Sequence, residues 1–477
     1  MMTIAQAQAA LAAGGASCRL LGDATARFTA VSIDTRTLTP GALYLALRGE
    51  RYDGHAFAGA AVQGGAVALL VEHAVTEGPA ARLPQLVVAD SRAALGALAA
   101  AWRAQLSLPV IAVTGSNGKT TTTQMIAAVL AAAFGASDGQ PAWFATRGNR
   151  NNEIGVPLML LELRPAHRAA VLELGMNHPG EIALLSGWAR PDVALVTNAQ
   201  REHQEFLASV AATAHENGAV IEALPPGGTA VFPADDACAP IWRASAGARR
   251  VVDFALTGDA AVRADVDLQP QGCSLRLHAP AYFRSGAVVA PLQVAGLHNA
   301  RNALAAAAAC IAAGIDGAAI AEGLARFAPV GGRGTRSRTA SGALLIDESY
   351  NANPDSVRAA IDLLAGQQAP RVLVLGDMAE VGARGPEYHR EVGGYARERG
   401  IDHLLALGDQ AALAVQAFGG GARHFETVEA LTAEARSLTQ AEPRSTVLVK
   451  GSRFMRLERV VTALAGDASG AGAAHHA

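Results

Sequence analysis

Short apolar runs alternate with alanine-rich helical patterns along most of the chain, and each run stops at a glycine or a polar residue. Up to about residue 107, the runs VSIDTR and ALYLAL and helical patterns around residues 55–64 and 91–105 predict a small α/β unit. The opening MMTIAQAQAALAAGG sets Ile4 and Leu11 on one helical face and lacks the basic flank of a signal peptide. A second block begins with PVIAVTG and repeats strand then helix at AAVLELG and DVALVTN, the pattern of a parallel sheet covered by helices. The Gly-, Arg- and Ser-rich residues 329–342 mark a hinge. In the third block, ALLIDES, RVLVLGD, HLLALGD and TVLVKGS each end in a polar or glycine-rich turn, a second candidate binding face at strand carboxyl ends. The expected class is α/β in three domains: a small N-terminal α/β domain (1–107), a central parallel-sheet domain (108–328) and a Rossmann-like C-terminal domain (329–465). Residues 466–477 form a tail with almost nothing to bury, expected to be disordered.

Composition narrows the function classes. The chain has 477 residues, enough for about three domains of ~100–200 residues each. Half of it is hydrophobic, but no apolar run of ~18 residues escapes interruption, so membrane insertion is not expected. With 39 basic and 42 acidic residues and no basic stripe carrying aromatics, a nucleic-acid footprint is missing and small-molecule partners are expected. Cys18, Cys238, Cys273 and Cys310 form no C-x-x-C pair and suggest neither zinc nor a disulfide framework. A cytoplasmic location is the expectation.

The strongest local signal is TGSNGKTT, Thr114 to Thr121, between the strand Val110 to Val113 and a helical pattern bearing Met125, Ile126, Val129 and Leu130. Strand, glycine turn and helix is the context in which backbone N–H groups converge on phosphate oxygens. Thr114, Gly115, Ser116, Asn117, Gly118, Lys119, Thr120 and Thr121 are the nucleotide-binding candidates, with Lys119 as the point charge for the outer phosphates and the Thr120 hydroxyl as a magnesium ligand. The strict G-x-x-x-x-G-K-[ST] spacing is not met, because Val113 stands at its first glycine. ATP or GTP chemistry follows, but a phosphate loop leaves kinase, motor, switch and ligase open. Glu173 ends the strand of VLELGMNHPGE, where a carboxylate can reach a magnesium ion over the loop or can be a plain strand-end acid. His203, in TNAQREHQEF, is by itself an ordinary loop histidine.

TGSNGKTT resembles the loop of the Mur ligase family and its folylpolyglutamate synthase relatives, and the resemblance extends over almost the full chain. ELGMNHPGEI resembles the family's E-x-G-x-N-H-x-G-E segment, which implies that Glu173 is a metal ligand, and a family histidine after the next strand implies the same of His203. Mur ligases generally place a carbamylated lysine soon afterwards. Here SVAATAHENGAVIEALP has Asn217 at that position, and no lysine lies between Lys119 and Lys450, so either the second metal is held differently or Glu216 or Glu205 contributes oxygen. GLHNARNA resembles the adenine-reading H-N-x-x-N-A helix start, with Asn299 as the reader. Gly332 and Arg333 resemble a P-G-R element that brings a guanidinium to the γ-phosphate, and IDESYNANPDS matches the family's D-[DE]-S-Y-N-A-N-P segment. The match implies that Asp347 lies at the ribose and that Tyr350, Asn351, Lys450 and Ser452 border the incoming amine.

SIDTRTLTPGALYLALRGERYDGHAF resembles the family's UDP-sugar domain and implies a site at Ser32, Asp34, Thr35 and Arg36. GNRNNEIGVPL, with Asn149, Asn151 and Asn152, and GDMAEVG resemble segments of the last-acting member. The implied activity is ATP- and Mg2+-dependent addition of D-alanyl-D-alanine to a UDP-N-acetylmuramoyl-tripeptide through an acyl phosphate, by a monomer. The tripeptide ends in lysine or diaminopimelate, both of which present the same reacting carboxylate.

Overall fold

The structure is a computed structural model that describes the chain except residues 50, 138, 203, 284–286 and 466–477. The expectation of a disordered tail and the placement of His203 therefore fall outside the described residues. Among the described residues no helix is long and apolar enough to cross a membrane.

The first unit is a five-stranded sheet in the order Cys18–Leu21, Gln85–Val88, Ala68–Val71, Ala42–Leu45, Ala30–Ser32. Four strands are parallel and Cys18–Leu21 is antiparallel to its neighbour. The helix Ile4–Ala13 starts at a capping box in which Thr3 and Gln6 satisfy each other's backbone N–H. Helix Ser91–Arg103, capped by Asp90, turns Leu95, Leu98 and Trp102 inward and joins this unit to the next. Trp102 Nε1 donates to the Leu163 carbonyl at 3.0 Å, and the buried Arg103 guanidinium donates to the carbonyls of Ala189 and Leu106. The ring of Trp188 lies where a Cβ on Gly96 would stand, 2.3 Å away. Apolar side chains of both units merge into one continuous core, so the first two units form a single body.

The central sheet has six parallel strands in the order Trp143–Ala145, Ala169–Glu173, Val110–Thr114, Val193–Val196, Thr229–Val231, Arg250–Val251. All five residues of Val110–Thr114 are buried, as expected of a strand covered on both faces. The chain crosses from this strand to both sides, so its carboxyl end is a topological switch point, where α/β sheets bind ligands. The sequence pattern did not reveal a four-stranded sheet over residues 254–292, whose strands Val262–Gln269 and Gly272–His278 pair antiparallel. It shares a core with helices Lys119–Phe134 and Leu297–Ala312. The alanine run of the latter allows close helix packing, and Gly323 lets helix Gly317–Arg326 approach Val129, whose Cα lies 2.3 Å from a Cβ built there.

The third unit is a six-stranded sheet, Thr335–Arg338, Leu344–Glu348, Thr446–Lys450, Arg371–Gly376, His403–Leu407, Ala422–Phe425, parallel except for its first pair. Apolar clusters cover both faces. Part of the expected hinge is thus an edge strand, since Thr335–Arg338 pairs with Leu344–Glu348, and its wholly polar sequence with two arginines suits an edge. Helix Pro354–Ala365 begins at Asn353, whose side chain accepts from Ser356 N at 2.8 Å.

Candidate active site

Thr114 is the last residue of the central strand, and the backbone turns through Gly115 (φ 128°) and Gly118 (φ 82°) before helix Lys119–Phe134 begins. Both angles lie in the left-handed region that glycine tolerates. A Cβ at Gly115 would stand 2.1 Å from Thr197 Oγ1, and one at Gly118 2.2 Å from Asn302 Oδ1, so both positions need glycine for space as well. The loop is braced by the segment after the neighbouring strand: Asn117 N donates to Asn198 Oδ1 at 2.9 Å, Thr197 Oγ1 donates to the Asn117 carbonyl at 2.8 Å, and Gln200 N donates to Ser116 Oγ at 2.9 Å. Among the described residues no side chain caps the helix start, which leaves its N–H groups directed at an anion site. Lys119 Nζ donates to the carbonyls of Gly115 and Ser116 and meets the buried Glu202 carboxylate at 3.0 Å.

Glu173 ends the adjacent strand, as the sequence predicts, and is buried. Its Oε1 accepts from Asn151 Nδ2 at 2.7 Å, and its backbone N donates to Thr146 Oγ1 at 2.9 Å. Thr120 and Glu173 line the same cleft and offer oxygen to a hard divalent cation, which completes its shell with phosphate and water. The residues present thus fit magnesium. Among the described residues no cluster of three or more His, Cys, Asp or Glu side chains forms an all-protein cage.

The cleft holds about 1810 Å³ and is closed on its far side by the third domain. Arg333 stacks over the Tyr350 ring at 3.9 Å. Lys450 and Glu348 are register partners on neighbouring strands, with Nζ 3.9 Å from Oε2, and Lys450 Nζ donates to the Asn351 carbonyl at 2.8 Å. Burial pulls the Lys450 ammonium below the usual lysine range, Glu348 opposes the shift and Arg333 adds to it. Ser452 Oγ accepts from Ala379 N at 2.7 Å and so ties two turns of this wall together.

The structure brings Ser116, Asn117, Gly118, Lys119, Thr120, Thr121, Asn149, Asn151, Asn152, Glu173, Asn299, Arg333, Tyr350, Asn351, Lys450 and Ser452 to one cleft. Several expected residues face elsewhere. Asp347 does not line the cleft: its carboxylate accepts from Gly332 N, Ser349 N and Ser349 Oγ, because it closes its own turn. Asn299 does line the cleft, with its Nδ2 donating back to the Ala295 carbonyl, and Asn302, three residues on and on the same helical face, packs against Gly118 but was not among the expected residues. Glu216 is not an oxygen donor to the cleft, since it accepts from Gly180 N and Ile182 N at the start of helix Glu181–Ala189. Glu205 is exposed. Asn217 is fully buried beneath the loop, where its Oδ1 accepts from Thr114 Oγ1 at 2.8 Å. Thr114 is therefore the loop's buried anchor. Ser32, Asp34, Thr35 and Arg36 follow strand Ala30–Ser32 outside this cleft, and the Arg36 guanidinium pairs with Asp34, holding that carboxyl below its usual range. Arg201, Glu202 and Asn353 were missed. Glu202 had a signal, an acid directly before His203, but its pairing with Lys119 spans 83 residues.

A glycine-shaped anion cradle with a lysine, an acid on the next strand and a second α/β domain closing the cleft define a class: enzymes that activate a substrate with a nucleoside triphosphate. Comparison with known proteins narrows it. Residues 27–103 match the Mur ligase family, catalytic domain; residues 113–310 match the Mur ligase middle domain; and residues 332–453 match the Mur ligase, glutamate ligase domain. The chain is 41% identical over 437 residues to the UDP-N-acetylmuramoyl-tripeptide--D-alanyl-D-alanine ligase of Escherichia coli (strain K12), covering 91% of this chain and 93% of that one. A crystal structure of MurF from Acinetobacter baumannii superposes with a TM-score of 0.87 at 33% identity, covering 97% of this chain and 98% of that one. MurF ligase from Thermotoga maritima in complex with ADP gives a TM-score of 0.76 at 25% identity, covering 91% and 96%. The chain belongs to the Mur ligase family.

Proposed function

We propose that the chain is an ATP-dependent amide ligase that joins D-alanyl-D-alanine to the terminal carboxylate of a UDP-N-acetylmuramoyl-tripeptide, in the synthesis of peptidoglycan precursors. The observation that carries the reading is the single cleft in which Lys119 and Glu173 of the central domain face Arg333, Lys450 and Ser452 of the third. Chain-long similarity to ligases of that name supports the choice of substrates.

In this reading the phosphate loop, Gly115 to Thr121, holds the triphosphate, and Asn299 and Asn302 border the adenine. A carboxylate oxygen of the tripeptide attacks the γ-phosphorus, the bond to the β-phosphate oxygen breaks, and ADP leaves. Lys119, and Arg333 from the opposite wall, balance charge on the transferred group. Thr120, Glu173 and His203 would hold magnesium, which when bound neutralises phosphate charge. The dipeptide amine then attacks the acyl phosphate, inorganic phosphate leaves and the amine gives up a proton. Lys450 and Ser452 orient the dipeptide carboxylate, and the wall formed by Tyr350 and Asn351 excludes water from the acyl phosphate. Ser32, Asp34, Thr35 and Arg36 receive the uridine diphosphate, and Asn149, Asn151 and Asn152 border the peptide. Both walls come from one chain, so a monomer suffices, and the substrates place the work in the cytoplasm.

The test is mass spectrometry of the product from ATP, magnesium, D-alanyl-D-alanine and each tripeptide substrate. A pentapeptide product is expected. Nucleotide hydrolysis without a peptide bond would overturn the reading.

A further inference from the structure

The first two domains share a continuous apolar core, whereas the third takes in only Ala295 of the central domain among the buried, described residues of its apolar clusters and meets the phosphate-loop region through polar side chains. An apolar junction is fixed, and a polar one can form and release. Three consecutive residues, 200–202, lie at this contact: Gln200 and Glu202 brace the phosphate loop, and Arg201 reaches across to the third domain. Gln200 Oε1 accepts from Asn117 Nδ2 of the phosphate loop at 2.6 Å. Arg201 donates from its backbone N to Asp355 at 2.8 Å, and its guanidinium grips Asp355 and Glu391, each at 2.6 Å. Glu202 holds Lys119.

The third domain completes a closed circuit. Asn353, at the start of the helix that carries Asp355, exchanges amide hydrogen bonds with Asn117 at 2.9 and 3.2 Å. Starting from Asn117, contacts run through Asn353 and Asp355 to Arg201 and return through Gln200. Arg201 also lies over the Tyr388 ring at 5.0 Å, and Arg358 adds a second cation to Glu391 at 3.2 Å. The Arg201 side chain is 21% exposed, and Asp355 and Glu391 are 22% and 29% exposed. A forked guanidinium between two carboxylates in so sheltered a place is a directional contact, unlike a loose surface pair.

We propose that Arg201 is a positioning residue for the ligase reaction: it fixes the third domain over the phosphate loop and thereby sets the wall that receives the amine substrate. Arg201 touches neither phosphate nor amine and acts through Asp355 and Glu391. The proposal deepens the ligase reading and rests on it for its kinetic readout. A native enzyme that forms no product would sink that reading, whereas the proposal is judged on differences between variants and on a shape measurement that needs no turnover.

The experiment compares Arg201→Gln, the carboxylate pair Asp355→Asn with Glu391→Gln, and the three changes combined. For Arg201→Gln we expect kcat/KM for the dipeptide to fall about thirtyfold or more, while the Kd of a nonhydrolysable ATP analogue stays within about threefold, because the phosphate loop and the adenine side belong mainly to the central domain. The carboxylate variant reproduces the loss, and the triple variant loses no more than either, the signature of one shared contact. Small-angle scattering of the nucleotide-bound variants gives a larger radius of gyration than the native enzyme. If Arg201→Gln does not fold, the carboxylate variant carries the same test. A kcat/KM within threefold of native, losses that multiply in the triple variant, or an unchanged radius of gyration would each overturn the proposal.

Discussion

The buried amide beneath the phosphate loop makes a sharp prediction, because Asn217 stands where the family resemblance puts a carbamylated lysine. A carbamate forms reversibly from carbon dioxide and a neutral amine, and an amide cannot form one. Glu202 and two loop carbonyls surround Lys119, and Lys450 donates to the Asn351 carbonyl, so both amines are already engaged as donors. Turnover should therefore be the same, within about 1.5-fold, in carbon-dioxide-free buffer with or without bicarbonate. Asn217→Ala adds a second arm. It takes the acceptor from Thr114 Oγ1 at the point where strand becomes loop, a neutral hydrogen bond worth ~0.5–1.5 kcal/mol, and leaves that buried hydroxyl unpaired at ~1–3 kcal/mol.

The substitution also removes Asn217 Nδ2, a buried donor with no partner among the described residues, and this relieves a penalty of similar size. The opposing terms leave a net destabilisation of about 0.5–1.5 kcal/mol, a fall of a few degrees in Tm. The catalytic effect should be larger than such a change in Tm suggests, because Thr114 anchors the loop itself. About a tenfold fall in kcat, ~1.4 kcal/mol, is expected. The assay is peptide-dependent phosphate release for both proteins with and without added bicarbonate. Bicarbonate rescue of the native enzyme would refute the reasoning, and a full-rate Asn217→Ala would reduce the residue to filler.

Lys119→Ala should cost about a thousandfold or more in kcat, ~4 kcal/mol of transition-state stabilisation, with the fold intact by circular dichroism; Lys119→Arg should do little better, since the carbonyls of Gly115 and Ser116 lie 2.6 and 3.0 Å from the ammonium and leave no room for a fork. Glu173→Gln should shift the magnesium dependence of turnover to at least tenfold higher concentration, and an unmoved titration would remove Glu173 from the metal site. The fully buried His389 accepts from Met378 N at Nε2 and donates from Nδ1 to the Gly385 carbonyl, an arrangement that needs the neutral ring, and burial accordingly lowers its pKa while the Gly385 bond and Asp377 oppose the shift. Between that lowered value and about 6.5 the unfolded chain binds more protons, so stability is full above pH ~6.5 and falls on acidification through this window. His389→Gln should flatten that part of a Tm-against-pH curve, and equal slopes for both proteins would exclude the histidine as the cause.

The three α/β units and their strand ends were legible because buried parallel strands read as apolar runs that stop at the turn, and Val110–Thr114 and Ala169–Glu173 end within a residue of where the pattern stops. The sheet over residues 254–292 was not, since Val262–Gln269 alternates buried and exposed residues for only half its length. At the site, residues inside short motifs were found, whereas those defined by partners distant in sequence were not. Asn302 shares the helix start GLHNARNA with Asn299, and the sequence alone does not show which of two amides on one helical face meets the loop. Arg201 meets Asp355 across 154 positions, and nothing local distinguishes that arginine from its many neighbours. Glu216, beside the expected ligand position, was drawn in by adjacency alone. On a helix, adjacent residues point about 100° apart, and Glu216 faces the next helix while Asn217 faces the loop.

Composition held one further signal that gains its meaning only from the structure. Of the 39 basic residues, 37 are arginine, and the two lysines are Lys119 and Lys450. Arginine serves at every other basic position, including the buried anchor Arg103 and the interdomain clamp Arg201. A chain that uses guanidinium so generally and keeps ammonium twice marks places where the two cations are not interchangeable. Both lysines lie in the same cleft, on opposite walls: Lys119 opens the helix that follows strand Val110–Thr114 and its loop, and Lys450 ends strand Thr446–Lys450. Lys119 Nζ meets two backbone carbonyls and the Glu202 carboxylate, and Lys450 Nζ meets the Asn351 carbonyl with Glu348 3.9 Å away; the two side chains are 14% and 4% exposed. A planar fork there would leave several of its five donors buried without partners, and each such donor costs ~1–3 kcal/mol. The compact ammonium has three donors: at Lys119 two carbonyls and Glu202 meet them, and at Lys450 the Asn351 carbonyl takes one and leaves the others for a substrate oxygen. The scarcity of lysine thus points to the same two walls as the phosphate loop and the strand ends do.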